Sequence, residues 1–214
     1  MKNKSCLDFT RRKGKSQVND KYKFTGETKT EHGVEFHRIE ALKDFGSVKK
    51  GELGGWIEKE ENLSWYGDAW VCGDALVYGD ARVCGDAQVF GDAWVSGNAQ
   101  VSGNALVYGD ARVYGDAWVC GDARVYGDAR VYGNARVCGG KWEKSPLYIQ
   151  GTKYPLCMCT GEKLKIGCQI HTISQWLKRG EKIARTEGFT DEEIEEYRSY
   201  VEVFAKRYGV NPGE

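Results

Sequence analysis

Three cysteines and one histidine near the C-terminus form the one cluster of residue types in this sequence that suits a metal ion. Cys157 and Cys159 are two residues apart, and Cys168 precedes His171 by three. Thiolate and imidazole groups are the usual ligands of structural zinc, and two cysteines two positions apart on a strand share a face. The residue types therefore make zinc a candidate ligand here.

The strand register predicted around these cysteines argues against zinc. Residues 154–159 and 163–168 predict a hairpin with Thr160-Gly161-Glu162 as its loop. Cys157 and Cys159 then oppose lysines, and Cys168 points away from both. The opposite face pairs Tyr154, Leu156 and Met158 with Cys168, Ile166 and Leu164. Because a one-residue slip would split this apolar face, we expect free structural thiols, a structural His171 and no cofactor.

Tryptophan, tyrosine and arginine recur at the variable positions of a repeat in the middle of the chain. Their side chains can stack planar groups and pair with phosphates, which suits a nucleotide-like ligand. Contact with another subunit and packing between neighbouring repeats are the alternatives. The candidate residues for ligand binding or oligomer contact are Trp94, Arg112, Tyr114, Trp118, Arg130, Tyr132 and Arg136.

The repeat that carries these residues is six residues long, Gly-(Asp/Asn)-Ala-x-Val-x, and runs from Gly67 to Cys138 in twelve uninterrupted copies. Ala-x-Val-x has the alternation of a strand with alanine and valine inward, and Gly-Asp or Gly-Asn supplies a corner. Three corners close a coil of eighteen residues. At roughly 4.8 Å between neighbouring strands, the repeats predict a parallel β-helix about 19 Å long.

An eighteen-residue coil assigns the variable residues to three faces. One face carries Leu76, Trp94, Arg112 and Arg130 beside Tyr78, Ser96, Tyr114 and Tyr132. A second carries Trp70, Gln88, Leu106 and Arg124 beside Cys72, Phe90, Tyr108 and Tyr126. The third carries Arg82, Gln100, Trp118 and Arg136 beside Cys84, Ser102, Cys120 and Cys138. We do not expect a disulfide in this last column, because parallel ladder geometry seldom suits the bond.

Four segments divide the chain. Residues 1–20 form a basic arm expected to be flexible, residues 21–60 an N-terminal cap, residues 61–140 the β-helix, and residues 141–214 a β-hairpin with two helices. Caps are expected because a stack of strands has open edges. Capping-box spacing at Thr172 and Thr190 predicts that helices begin there.

Three local predictions concern the ends of the solenoid and the hairpin. The first rungs, of degenerate sequence, are predicted at residues 55–57 and 62–65, and an extra last rung is predicted at Leu147 and Ile149. The strand that contains Pro155 is predicted to lie at a sheet edge.

Composition narrows the class of protein. Lys and Arg number 31 and Asp and Glu number 31, so net charge gives no argument for nucleic-acid binding, and we expect no nucleic-acid partner. No segment has the pattern of a membrane span or a signal peptide. The cysteines of the repeat occupy a position that holds Tyr, Phe or Ser in other copies, which indicates free thiols in a reducing compartment. We therefore expect a cytoplasmic protein that does not contact membranes.

The sequence also resembles a known group of proteins. The string from Leu53 to Ser64 ahead of the Gly-Asp-Ala-x-Val repeats, the preceding residues 36–45, and the tail 166–172 with Trp176 are similar to bacterial and prophage β-solenoids of the YdcK type. The resemblance covers about residues 21 to 208. It implies a left-handed parallel β-helix, as the hexapeptide pattern also does, and a homotrimer in the cytoplasm of a bacterial host, with no established activity.

Three functions are compatible with this sequence. The first is a non-catalytic scaffold, phage-encoded, that captures a host small molecule such as a nucleotide signal at a subunit seam. The second is an acyltransferase, because the repeats resemble those of hexapeptide acyltransferases. That family uses a histidine on or beside the coils and projecting loops, whereas this sequence has no histidine between His37 and His171 and no insertion in the repeats. The third is a purely structural or protein-interaction scaffold.

Overall fold

A computed structural model describes residues 19–211 of the 214-residue chain. The predicted basic arm lies outside the described residues apart from Asn19 and Asp20. The chain divides into two compact units, one ending at Ser145 and the other beginning at Pro146. The predicted fold class is confirmed: the protein is mainly β, with a parallel β-solenoid, an N-terminal β cap, a C-terminal antiparallel sheet and two helices.

Each six-residue repeat contributes one short strand, formed by its x-Val pair. The strands are β4 (Trp70–Val71), β5 (Leu76–Val77), β6 (Arg82–Val83), β7 (Gln88–Val89), β8 (Trp94–Val95), β9 (Gln100–Val101), β10 (Leu106–Val107), β11 (Arg112–Val113), β12 (Trp118–Val119), β13 (Arg124–Val125), β14 (Arg130–Val131) and β15 (Arg136–Val137). Strands β4 to β12 each pair in parallel with the strand eighteen residues further on, as Leu76 with Trp94 shows. The predicted coil length is confirmed.

Three parallel sheets form the sides of the column. Face one contains β5, β8, β11 and β14, face two contains β4, β7, β10 and β13, and face three contains β6, β9, β12 and β15. The alanine and valine of every repeat are buried, each at most 1% exposed. The interior is therefore built from these two small residues, and the variable side chains lie on the outside.

Glycine alone provides the corners. The twelve repeat glycines have φ between 60° and 71°, whereas no repeat Asp or Asn has a positive φ. A Cβ atom on Gly97 would also lie 2.9 Å from the backbone nitrogen of Gly115 in the next coil. Left-handed conformation and close stacking of corners both require glycine at this position.

The N-terminal cap is an antiparallel ribbon that continues face one. Its strands are β1 (Tyr22–Glu31), β2 (Val34–Ala41) and β3 (Leu53–Ile57). Strand β3 pairs in parallel with β5, placing Ile57 beside Val77, and Leu63 forms a bridge with Val83 after a one-turn 3₁₀ helix (Glu60–Asn62). Both Ile57 and Leu63 are buried. The predicted degenerate first rungs are therefore confirmed.

Side chains of this cap seal the first open edge of the solenoid. In the coils, N–H groups donate forward, as Trp70 does to the carbonyl of Ala87, and backbone N–H groups of the cap reach part of the first coil, as Trp56 does to Ala75. Lys21 Nζ donates to the carbonyls of Ala69 and Ser64, 2.6 and 3.1 Å away. Asn62 Nδ2 donates to the carbonyls of Gly79 and Ala81, 3.0 and 2.9 Å away. The Tyr22 hydroxyl lies 3.0 Å from the carbonyls of both Glu60 and Leu63 and donates to this pair. Buried backbone acceptors at this edge are thus paired.

The other end of the solenoid departs from the prediction. Strand β16 (Lys141–Trp142) pairs with β13, seventeen residues earlier rather than eighteen, and adds a last rung to face two. The Gly139-Gly140 corner, one residue shorter, brings Trp142 into the inward register, where it is buried. The prediction that Leu147 and Ile149 form this rung was wrong, because they belong to the second unit.

The second unit is a four-stranded antiparallel sheet with two helices. Its strands are β17 (Tyr148–Gln150), β18 (Pro155–Met158), β19 (Lys163–Ile166) and β20 (Gln169–Thr172), followed by α1 (Ile173–Thr186) and α2 (Asp191–Tyr208). The predicted register is confirmed, with Leu156 opposite Ile166 and Cys157 opposite Lys165. The predicted capping boxes at Thr172 and Thr190 are also present.

One expectation about this sheet was wrong. Strand β18 lies between β17 and β19 and is not an edge strand. Pro155 is tolerated because it is the first residue of its strand, where a missing N–H removes little from the ladder. None of the helices in residues 19–211 is long and apolar enough to cross a membrane.

Candidate functional site on the outer faces

The first half of face one is covered by the protein's own N-terminal cap. Phe36 packs against Trp56 and Leu76 in a buried cluster and meets Tyr78 edge-on at 5.5 Å. His32, at the tip of the β1–β2 hairpin, meets Trp94 edge-on at 4.7 Å. Leu76, which the repeat places on the outside, is therefore only 1% exposed.

The same covering occurs at the start of face two. Trp70 is 2% exposed and contacts the ring of Phe45 at 5.3 Å. These contacts were not predicted, because alternation along residues 34–39 indicates a strand without indicating what it packs on. Part of the outward aromatic surface is thus internal packing rather than a surface for partners.

Face one carries five of the predicted site residues, and four of them lie on its exposed second half. The Arg112 guanidinium lies over the ring of Trp94, 4.4 Å from its centroid, and Tyr114 stacks on Tyr132 at 5.5 Å. Arg112 and Arg130 are direct register partners on neighbouring rungs. The tyrosines are 36% and 38% exposed, and both arginines are exposed. We call Arg112, Tyr114, Arg130 and Tyr132 the Arg–Tyr surface.

The positive charge of the two arginines on the Arg–Tyr surface is not paired with a carboxylate in residues 19–211. Neither Arg112 nor Arg130 forms an ion pair with any residue between 19 and 211. Arg112 is held by a ring face, and the backbone N–H of Arg130 donates to Ser145 Oγ. Two guanidinium groups one rung apart, roughly 4.8 Å, form a doubly positive spot beside two exposed rings.

Face two carries a stack of aromatic rings. Phe90, Tyr108 and Tyr126 follow one another at 4.8 and 5.2 Å, with their planes within 7° of parallel. All three are half-buried. This stack fits the interpretation of the outward aromatics as packing between rungs.

Face three holds the other two predicted site residues. The Arg136 guanidinium lies 3.8 Å from the centroid of the Trp118 ring, and the Trp118 indole donates to Ser102 Oγ at 2.9 Å. The seven candidates therefore lie on two different faces, with Trp118 and Arg136 apart from the Arg–Tyr surface.

The cysteine column on face three corrects an expectation. Cys120 and Cys138 are joined by a disulfide, where the sequence had indicated free thiols. The parallel register places their Cα atoms 4.3 Å apart, so the two thiols face each other on adjacent rungs. Cys72, Cys157, Cys159 and Cys168 are not disulfide-bonded.

The weak metal candidates occupy different environments. Cys157 and Cys159 are buried, and burial raises the pKa of the Cys159 thiol. Cys168 is exposed, and His171 packs edge-on against Trp176 at 4.9 Å. In the part of the chain that the structure describes, no three His, Cys, Asp or Glu side chains converge as metal ligands would.

The corners form three columns of acidic and amide side chains that sequence reasoning did not separate. Two columns mix Asp and Asn, and in these Asn98 donates to Asp116 and Asn104 donates to Asp122, both at 2.9 Å. The third column contains aspartate only, and all its members are exposed: Asp74, Asp92, Asp110 and Asp128. We call it the all-Asp corner. Comparing the second residue of every third repeat in the sequence would have revealed the all-Asp corner.

Comparison with known families agrees with the architecture. A family model described as the YdcK β-solenoid repeat matches residues 87–103, 99–115, 107–121, 123–139 and 129–143. These segments lie in the coils and include all seven candidate site residues. The protein is a β-solenoid whose coils are similar to YdcK repeats. A search of curated proteins finds no match.

Proposed function

We propose that the protein is a non-catalytic binding scaffold that captures a small planar anion, such as a nucleotide, on the Arg–Tyr surface. The observation that supports this proposal is the pair Arg112 and Arg130, exposed on adjacent rungs without a carboxylate partner in residues 19–211. A rigid ladder with two unpaired guanidinium groups is a site for anions.

The chemistry of the surface suits both parts of a nucleotide. Guanidinium groups bind phosphate oxygens through two parallel hydrogen bonds, and the rung spacing of roughly 4.8 Å brings both arginines within reach of neighbouring phosphates. The exposed Tyr114 and Tyr132 rings offer an adjacent flat area for a base. Trp94 already orders the Arg112 side chain, which reduces the entropy lost on binding.

The biological setting remains part of the proposal. Resemblance to bacterial and prophage solenoids supports a cytoplasmic protein of a bacterial host whose ligand is a host nucleotide signal. In that setting the scaffold would lower the free concentration of the signal by binding it.

The proposal is tested by titrating the protein with adenosine diphosphate in a calorimeter. We expect binding to the unaltered chain, and binding at least about tenfold weaker, roughly 1.4 kcal/mol, for Arg112→Ala/Arg130→Ala. Arg124→Ala is the matched control, because Arg124 is an exposed arginine of the same ladder type on face two. Equal affinity of all three proteins, or no binding to any, would reject the proposal.

A parallel titration with acetyl-coenzyme A examines the acyltransferase alternative. An acyltransferase requires the coenzyme to bind along the coils and a base near it. Binding of acetyl-coenzyme A that survives the Arg112→Ala/Arg130→Ala change would favour the enzyme over the scaffold.

A further inference from the structure

The aromatic column of face one is interrupted at one rung. The column consists of Tyr78, Ser96, Tyr114 and Tyr132, one residue on each coil. Tyr114 and Tyr132 stack on each other with their ring centroids 5.5 Å apart. At the rung before Tyr114, the column contributes a serine and therefore no ring.

Face two shows how a ring fits at this level. There Phe90 has the position that Ser96 has on face one, and it stacks on Tyr108 at 4.8 Å with the ring planes 1° apart. Tyr126 continues the stack at 5.2 Å. A ladder of this kind accepts one planar ring per coil, because the ring spacing is close to the roughly 4.8 Å between rungs.

The interruption on face one leaves one side of the Tyr114 ring available. Tyr132 lies on the following rung and stacks on the other side, so the available side is turned toward Ser96. Tyr114 is 36% exposed. Ser96 is half-buried, and its hydroxyl forms no hydrogen bond within residues 19–211. Tyr78 is two rungs from Tyr114, roughly 9.6 Å along the axis, which is the room that one stacked ring needs.

We propose that a nucleobase stacks on Tyr114 at the level of Ser96, between Tyr78 and Tyr114, and so completes the column. We call this place the Ser96 slot. The Ser96 hydroxyl lies at the edge of the base, where it can donate to a ring nitrogen or accept from an amino group.

The neighbouring column places the slot next to the arginines. Trp94 lies on the same rung as Ser96, and it contacts the Arg112 guanidinium at 4.4 Å and His32 edge-on at 4.7 Å. Arg112 and Arg130 lie one and two rungs beyond the slot. A base in the slot therefore leaves its phosphates free to extend along the column toward both guanidinium groups.

The two parts of the site define the class of ligand. This inference rests on the proposed function and adds that the base is required for tight binding. A nucleoside diphosphate suits the slot and the arginine pair together, whereas inorganic diphosphates and sugar phosphates have no ring for the slot. Stacking one base on an aromatic side chain raises affinity by about tenfold or more.

Calorimetric titration with adenosine diphosphate and with inorganic pyrophosphate tests the slot. The unaltered chain should bind adenosine diphosphate at least about tenfold more tightly than pyrophosphate. Ser96→Tyr fills the slot with a ring of the protein, so it should weaken binding of adenosine diphosphate at least about tenfold and leave binding of pyrophosphate unchanged. Ser96→Ala is the matched control and should weaken adenosine diphosphate only a few-fold, because it removes one hydroxyl and adds no ring.

Urea unfolding gives a second measure that needs no ligand. The ring introduced by Ser96→Tyr should stack within the column, so the urea midpoint of this variant should be no lower than that of the unaltered chain. A lower midpoint would mean that the column has no room for a ring and would overturn the slot. Undiminished binding of adenosine diphosphate by the folded Ser96→Tyr variant would overturn it too, as would equal affinity of the unaltered chain for the two compounds.

The slot and the proposed function can fail separately. Binding of both compounds that depends on Arg112 and Arg130 but not on Ser96→Tyr would reject the slot and leave the proposed function. Weaker binding of adenosine diphosphate to Ser96→Tyr, with full binding to Arg112→Ala/Arg130→Ala, would support the slot and reject the arginine pair as the phosphate site. Failure of the unaltered chain to bind either compound would reject both.

Discussion

Arg112 shows how one side chain can serve both packing and recognition. Its guanidinium lies over the Trp94 ring, 4.4 Å from the centroid, and forms no ion pair with any residue between 19 and 211. Arg130, on the next rung, has no ring of this kind beneath it but occupies the same column. Packing between rungs therefore orders Arg112 and leaves its guanidinium able to form hydrogen bonds.

The first prediction concerns the contribution of a corner glycine to stability. Gly97→Ala should destabilise the solenoid by about 2 kcal/mol, from the left-handed backbone and the contact with Gly115. Urea unfolding measures the change. Ser96→Ala, which removes one hydroxyl from the preceding position, is the control and should change stability little. Equal stability of both variants would contradict the role of the corner glycines.

The contribution of Lys21 to the stability of the protein is expected to depend on pH. Burial lowers its pKa from 10.5 to about 8, while its amine donates to Ala69 and Ser64. Between those two values the unfolded chain binds more protons than the folded chain, so the Lys21 contribution to stability rises with pH. Burial raises the pKa of Tyr22 and Cys72, which acts in the opposite direction at higher pH.

Comparison with Lys21→Met separates the lysine from these groups. The stability difference between the unaltered chain and the variant should grow as pH increases from about 8 to about 10, measured by urea unfolding. The variant should be less stable throughout, because the carbonyls of Ala69 and Ser64 lose their donor. A difference that is constant with pH would show that Lys21 keeps an ordinary pKa.

At the scale of elements, the cap works through side chains that replace a missing rung. Asn62 is fully buried and donates both amide hydrogens to carbonyls of the first coil. Asn62→Asp has nearly the same shape but presents a carboxylate to the same two carbonyls.

We expect Asn62→Asp to destabilise the protein by about 3 kcal/mol, since two donated hydrogen bonds are lost and a buried charge is created. Denaturant unfolding at neutral pH measures this loss. Asn104→Asp, at an exposed corner, is the matched control and should have a much smaller effect. Similar losses for the two variants would mean that the cap contacts do not determine stability.

The elements also show which features local sequence can predict. The Gly-Asp-Ala-x-Val unit determines strand, corner and coil length within six residues, so the column and its faces followed from the pattern. Thr172 and Thr190 are likewise local signals for the helix starts. The packing of Phe36 and His32 over face one depends on contacts between distant segments, which no local pattern specifies.

The candidate site was predicted in part for the same reason. Arg112 and Arg130 could be placed in one column from the period alone, and the structure pairs them. The period also placed Trp94 in this column, but its contact with His32 was not predicted. Two strands of the second unit, β17 and β20, were not predicted: β17 has only three residues, and β20 ends directly at the Thr172 helix cap, which is the stronger local signal.

At the scale of the whole molecule, a rigid column displays side chains at fixed intervals on its outer faces. Its inward residues are nearly uniform, so the outer positions can vary without disturbing the core. Hydrophobic cap residues cover the first rungs, and the exposed charge lies on later ones. This arrangement suits recognition by a preformed surface, in which little order is lost on binding.

The most direct test of this account is mass spectrometry of small molecules released when the purified protein is denatured. The account predicts a phosphate-bearing aromatic compound in the extract from the unaltered chain and its loss from Arg112→Ala/Arg130→Ala, with Arg124→Ala retaining it. An extract from the unaltered chain without such a compound, or equal amounts from the unaltered chain and the double variant, would contradict the claim that the Arg–Tyr surface is the binding site.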